Sequence, residues 1–218
     1  MPDVAKIYKD RFEQTGLERR NRVWKVLCAH FFNHRIPASA TVLDLACGYG
    51  EFINNIRAAR KIAIDLNPDA TQHLASDVVF TKMSAADLSV LGSGIADVVF
   101  TSNFLEHLRD KNECDAVFAG VRQVLKPGGK FIVMGPNIRY AYREYWDFYD
   151  HYLPLSDLSL AEGLRIAGFR IEENIARFMP YTINNRSPTH DLLVRAYLAV
   201  PLAWKIFGKQ FLVTAVKE

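Results

Sequence analysis

A doubly wound α/β fold built on a mostly parallel sheet is predicted by three features of this 218-residue chain. The first is Val42–Phe52, an apolar strand that runs into a glycine turn and then a helix-like segment. The second is the alternation, from residue 41 onward, of short apolar segments with amphipathic ones, the pattern of strands joined by covering helices. The third is a set of polar residues, Asp44, Asp65, Asp87 and Asn103, falling at or near the ends of four successive strands.

The elements run in order along the chain. Val42–Leu45 reads as the first strand and Phe52–Arg60 as the first helix. Lys61–Leu66 is the second strand, nearly all apolar. Asn67-Pro68 opens a helix, with Asn67 as its cap and proline at the first helical position. Val78–Met83 and Ile95–Ser102 are the third and fourth strands. Asp115–Leu125 is an amphipathic helix with Val117, Val121, Val124 and Leu125 on one face, stopped by Lys126-Pro127-Gly128-Gly129. Lys130–Met134 is the fifth strand. Residues 138–155 are aromatic-rich and read as irregular. A capping box starting at Ser159 opens a short helix that ends at Gly168. Phe169–Asn174 and Gln210–Lys217 complete seven strands, the last antiparallel, with helices on both faces. Residues 1–40 read as an N-terminal helical cap on a domain of residues 41–218. Within it, 138–155 and 179–208 are acceptor-side and insertion elements.

Composition bounds the partners. Half the residues are apolar, and 27 basic residues face 24 acidic ones. The small basic excess lies in residues 1–40 and reads as a solvated helix face; no nucleic-acid partner is expected. The start of the chain does not resemble a signal peptide, and no apolar run is long enough to span a bilayer. Cys28, Cys47 and Cys114 are scattered and form no paired motif, so neither a disulfide framework nor a metal site is expected. A cytoplasmic location is expected.

In a doubly wound sheet, ligands sit at the carboxyl ends of the strands. Glycine in the turn after the first strand lets a ligand approach the backbone, and a carboxylate ending the second strand is placed to accept bonds from two ribose hydroxyls. The pattern points to a nucleoside-type cofactor in a Rossmann-like fold.

The segments DLACGYGEF (44–52), AIDLN (63–67), Ala86-Asp87-Leu88, DVVFTSNFLEHL (97–108) and VLKPGGKF (124–131) resemble the class I S-adenosylmethionine-dependent methyltransferases in order and spacing. The resemblance implies S-adenosylmethionine as cofactor. It implies that Gly48 and Gly50 line the methionine portion, with Asp44 orienting its ammonium. Asp65 would hold the ribose hydroxyls, and Leu66 would lie against the adenine. Asp87 and the Leu88 N–H would meet the adenine edge, and Asn103 and Phe104 would face the sulfonium side. Ala46 stands where the family's first glycine is usual. The charge pattern agrees, because carboxylates suit an ammonium and a sulfonium, whereas a dinucleotide's phosphates would be repelled by Asp44. That electrostatic mismatch also disfavours a nicotinamide-dependent reductase.

Two histidines stand out for proton transfer to or from an acceptor. His107 follows the fourth strand. His151 lies in the aromatic stretch YWDFYDHY, where Asp147 or Asp150 would orient it. Arg139, Tyr140, Tyr142, Arg143, Tyr145 and Trp146 are candidate acceptor-pocket residues, and Tyr8 and Phe12 are candidates to close over the cofactor. The apolar stretch 192–207, interrupted by Pro201, reads as a buried helix pair, a homodimer surface or a peripheral membrane contact. Residues 131–218 resemble methyltransferases of bacterial glycan and polysaccharide assembly. This implies O-methylation of a sugar or small glycan-related acceptor. The alternatives are a lipid or quinone-like acceptor, or a regulator that binds the cofactor without catalysis.

Overall fold

A computed structural model describes residues 14–181 and 190–218. The chain opens with helix α1 (Gln14–His30), then enters a seven-stranded sheet. Its strands are β1 (Thr41–Leu45), β2 (Arg60–Asp65), β3 (Val78–Lys82), β4 (Ala96–Ser102), β5 (Leu125–Pro136), β6 (Phe169–Ile175) and β7 (Gln210–Lys217). The sheet order is β3-β2-β1-β4-β5-β7-β6. Every pair is parallel except those of β7, which runs antiparallel to both β5 and β6. The order reverses between β1 and β4, and such a switch point opens a crevice at the carboxyl ends of the two strands. The predicted α/β architecture and its antiparallel last strand are both present.

Period-two alternation sorts the side chains to two cores. Leu43, Leu45, Ile62, Ile64, Val99 and Phe131 face helices α2 (Lys111–Val124) and α4 (Asp157–Ile166). Val42, Ala63, Val98, Phe100 and Ile132 face α1. Asp44 alternates with Val42, and Asp65 with Ala63, so the same rule turns both carboxylates toward the α1 face. Trp24 of α1 stands edge-on to Phe52 and Phe100, whose rings stack with centroids 3.7 Å apart. Fully burying one such ring stabilises the fold by about 1.5–3 kcal/mol.

Several expected elements are corrected. Residues 51–55 form turns rather than a regular helix running to Arg60. Asn54 and Asn55 direct their amides to other groups. Asn54 donates to His73 O and accepts from Ala75 N, and Asn55 donates to Asn21 Oδ1 and Glu51 O. Such side chains compete with helical bonding. Asn67 caps as expected, accepting from Asp69 N, but the element it opens is a five-residue 3-10 turn, Pro68–Gln72. Helix α2 starts earlier, at Lys111, because Asp110 accepts from Glu113 N. Strand β5 begins at Leu125, and the Pro127-Gly128-Gly129 turn is an excursion within it, between the Ala96–Leu125 and Val98–Lys130 pairs. The capping box lies three residues upstream, with Ser156 as the cap and Ser159 closing it.

The stretch 138–155 is not wholly irregular. It opens with helix α3 (Ile138–Tyr145), capped by Asn137, which accepts from Arg139 N. Residues 190–209 carry helices α5 (Asp191–Ala199) and α6 (Pro201–Phe207).

Candidate active site

The turn after β1 is held by backbone geometry that side chains resist. Ala46, Gly48 and Gly50 have φ of 57°, 57° and 78°. The left-handed region costs an L-residue about 1–2 kcal/mol, so Ala46 keeps the shape expected of a glycine at the expense of some strain. A Cβ on Gly50 would lie 2.4 Å from Leu74 Cδ2. Cys47 N donates to Ile64 O, and Gly48 N donates to Asp65 Oδ2 at 2.8 Å, so the turn is sewn to the end of β2. Asp65 Oδ1 also accepts from Asn67 N at 2.8 Å. Thr101 Oγ1 donates to Leu45 O and fastens β1 to β4 at the switch point.

Asp44 is only 3% exposed. Burial pushes its carboxyl well above the usual range, and the negative charges of Glu51 and Asp65 push it further, against one bond from the Ile53 amide. Burial also raises Asp65, opposed by its bonds from the Asn67, Gly48 and Leu66 amides. Glu51 is engaged by Arg20 of α1 at 2.8 Å. Sequence reasoning passed over Glu51 and Arg20, although an acid next to a glycine turn was a visible signal. Two buried carboxylates side by side on one face fit a ligand that brings positive charge. Leu66, beside them, leaves an apolar surface 48% exposed.

The other expected donor residues stand at neighbouring strand ends. Asp87 is exposed and breaks the helical geometry of its turn, with φ −103° and ψ 21°. That turn leaves β3 beside Asp65, whose carbonyl accepts from Met83 N. Leu88 is wholly buried, its side chain packed where a Cβ on Gly120 would touch it, so only its backbone can face a ligand. Asn103 takes a positive φ of 51° and donates its backbone N–H to Met134 O. Phe104 is half-buried against the core. Tyr8 and Phe12 lie outside the described residues.

The histidines meet in a way that sequence spacing does not disclose. His107 Nδ1 lies 2.9 Å from Asp150 O and 3.2 Å from Asp150 Oδ2. Both partners are acceptors, which places the proton on Nδ1 and leaves Nε2 able to accept one. Burial pulls the His107 pKa down, but the Asp150 bond and the charges of Glu106 and Asp150 outweigh it and raise the value. Asp150 therefore orients His107, a contact that the expected pairing of Asp147 or Asp150 with His151 did not include. His151 is buried, stacks on Phe148 at 4.7 Å, and stands 5.0 Å from the His107 ring. Ligand atoms of Glu106, His107 and His151 all lie within 4.8 Å of one another. No metal site was expected from the sequence; this cluster forms because His151 enters from a loop remote in sequence. Imidazoles beside a carboxylate are donors that a transition metal accepts, and they are equally a proton-transfer network.

Of the candidate acceptor-pocket residues, Tyr145 is wholly buried, with its ring 4.7 Å from that of His151. Ala141 and Tyr145, four residues apart on the buried face of α3, carried that signal. Arg139 is committed to Asp157 at 3.1 Å and Arg143 to the Tyr142 hydroxyl at 3.0 Å. Tyr142 and Trp146 are exposed beside β5.

Comparison with known proteins bears on this geometry. A methyltransferase domain matches residues 17–174, most of the chain. The chain belongs to the methyltransferase-domain family. A Bacillus subtilis (strain 168) protein named methyltransferase YqeM is 32% identical over 104 residues, covering 43% of this chain and 41% of that one. The chain therefore aligns with about two-fifths of that relative's length. Among solved structures, an S-adenosylmethionine-dependent methyltransferase from Archaeoglobus fulgidus superimposes with a TM-score of 0.67 at 21% identity, over 94% of this chain and 100% of that one. A structure of the Haloferax volcanii Trm112 activator in complex with a methyltransferase matches with a TM-score of 0.67 at 18% identity, over 92% of each chain. For a methyltransferase-domain protein of this fold, S-adenosylmethionine is the implied methyl donor, and the buried, mutually repelling carboxylates of β1 and β2 fit its positive charge.

Proposed function

We propose that this protein is an S-adenosylmethionine-dependent O-methyltransferase acting on a hydroxyl of a sugar or small glycan-related metabolite in the cytoplasm. The observation that carries this reading is the His107–Asp150 pair at the exit of β4, with a ring nitrogen left to accept a proton. S-adenosylmethionine supplies an electrophilic methyl group when bound. The chain does the rest. Asp44 would neutralise the donor's ammonium, Asp65 would accept from its ribose, Gly48 and Gly50 would admit its methionine portion, and Leu66 would cover the base. Asp87 and the Leu88 amide would read the base edge, and Asn103 and Phe104 would close the reacting side. His107 would take the acceptor's hydroxyl proton at Nε2 while Asp150 holds Nδ1. Alignment and proton removal are the main requirements of such a transfer.

A second reading, a lipid or quinone-like acceptor, is favoured by the exposed apolar surface of α5 and α6. The test is incubation of the purified protein and donor with nucleotide sugars, free glycans, lipid-linked saccharides, and quinones and other lipids, followed by mass spectrometry. A gain of one methyl on a saccharide hydroxyl supports the first reading, and gain only on a lipid or quinone supports the second. Donor binding with no methylated product from any class would leave a cofactor-binding regulator.

A further inference from the structure

The α5–α6 pair has more apolar surface than its own packing uses. Its inner side is complete. Val194 and Leu198 are buried against the core that includes α1. Trp204 stands edge-on to Phe31 and Phe178, Tyr197 Oη donates to Phe178 O, and Trp204 Nε1 donates to Tyr197 O. One such stripe is all that a surface helix needs. Yet Leu192, Leu193, Val200, Leu202, Ile206 and Phe207 are each between 49% and 67% exposed. So many exposed apolar side chains on two short adjoining helices mark a site of contact.

Its position and its charge narrow the partner. Gln210 pairs with Pro136, and Lys209 O accepts from Asn137 N, so the hairpin re-enters the sheet at the carboxyl end of β5. That edge also presents Tyr142 and Trp146 of the acceptor-side segment. Exposed Arg195 and Lys205 lie among the apolar residues, with Asp191 the one acid in the pair of helices. In a two-fold dimer this surface, with two cations to one acid, would bring its net positive charge against itself, whereas anionic headgroups complement it. No helix among the described residues is long and apolar enough to cross a membrane. Apolar side chains with interspersed cations on short helices suit a bilayer surface.

We infer that the α5–α6 hairpin docks this protein on the surface of an anionic lipid bilayer and turns its acceptor-side edge toward the lipid. The inference deepens the lipid-borne reading of the acceptor, but docking itself needs neither donor nor acceptor, so the two can fail separately. The test is co-sedimentation of the full chain with phosphatidylglycerol-containing vesicles and with pure phosphatidylcholine vesicles. The double variant Leu192→Glu/Leu202→Glu places acids in the first turns of the two helices, where the helix dipole favours them, so folding should survive. The expected result is binding to the anionic vesicles that falls at least tenfold in the variant and weakens in high salt, with donor affinity unchanged. Failure to bind either vesicle, or equal binding by variant and parent, overturns the inference. So does a concentration-dependent dimer that the variant abolishes without any vesicle binding, which would assign the face to a second copy of the chain.

Discussion

Replacing Asp44 by asparagine is expected to stabilise the donor-free protein at neutral pH and, at the same time, to weaken donor binding. Burial is the origin of both effects. Desolvation first, then the charges of Glu51 and Asp65, raise the Asp44 pKa above its unfolded value. For an acid with a raised folded value, the associated stability is fully present below the unfolded pKa and is lost as pH rises through the folded one. At neutral pH, above the unfolded value, the buried acid therefore costs the fold stability, and asparagine removes that cost while its oxygen can still accept from Ile53 N. Each kcal/mol regained should raise the melting temperature by about 2–4 °C in a domain of this size. Binding moves the other way. An ion pair at contact distance, about 4 Å, in an effective dielectric of about 20 is worth about 4 kcal/mol. Set against the cost of keeping the carboxylate charged, the net loss is about 2–3 kcal/mol, or roughly 30- to 150-fold in affinity. Below the raised pKa the parent should also lose up to about tenfold in affinity per pH unit, with one proton released on binding. Calorimetry in buffers of different ionisation enthalpy measures that proton directly, and thermal melts with and without S-adenosylhomocysteine measure the rest. A variant that melts lower without donor and binds as tightly as the parent, with no proton released, would refute the account.

Four further outcomes are expected. Asp150→Asn should lower the His107 pKa, read by NMR of the ring nitrogens, and move the acidic limb of the rate profile to lower pH; His107→Ala should reduce turnover about 10²–10⁴-fold with donor affinity retained. Gly50→Ala and Gly94→Ala both force a left-handed residue, at about 1–2 kcal/mol each. Only Gly50 also meets Leu74 and the Asn54 amide, so its variant should be the less stable of the two; equal denaturation midpoints would contradict this. Asn137 is wholly buried, donates to Asp157 Oδ1 at 2.7 Å and Ala176 O at 2.9 Å, and caps α3. Asn137→Ala should cost about 2–4 kcal/mol in chemical denaturation.

The range of each interaction decides how much of it the sequence discloses. Strand β7 is legible to the residue because an apolar run between turn residues needs only local information. Asp44, Gly48 and Asp65 are legible because strand ends and a glycine turn place them, and the structure joins Gly48 to Asp65 directly. The expected helix after Phe52 fails because Asn54 spends its amide on His73 and Ala75, partners that local propensity does not reveal. The pairing of His107 with Asp150 spans 43 residues and depends on how a loop returns, so proximity in sequence, which offers Asp147 or Asp150 to His151, does not disclose it. Tyr145 differs in kind: within an aromatic-rich stretch, composition suggests a binding surface while helical spacing points inward, and the structure buries the ring against His151.

The glycine turn lacks a regular helix of its own, and its neighbours Phe52 and Glu51 are braced from α1 by Trp24 and Arg20. A fragment trimmed to begin at β1 would retain each donor-facing letter of the motif and still surrender its grip, because the scaffolding that stiffens the motif is spelled upstream of it.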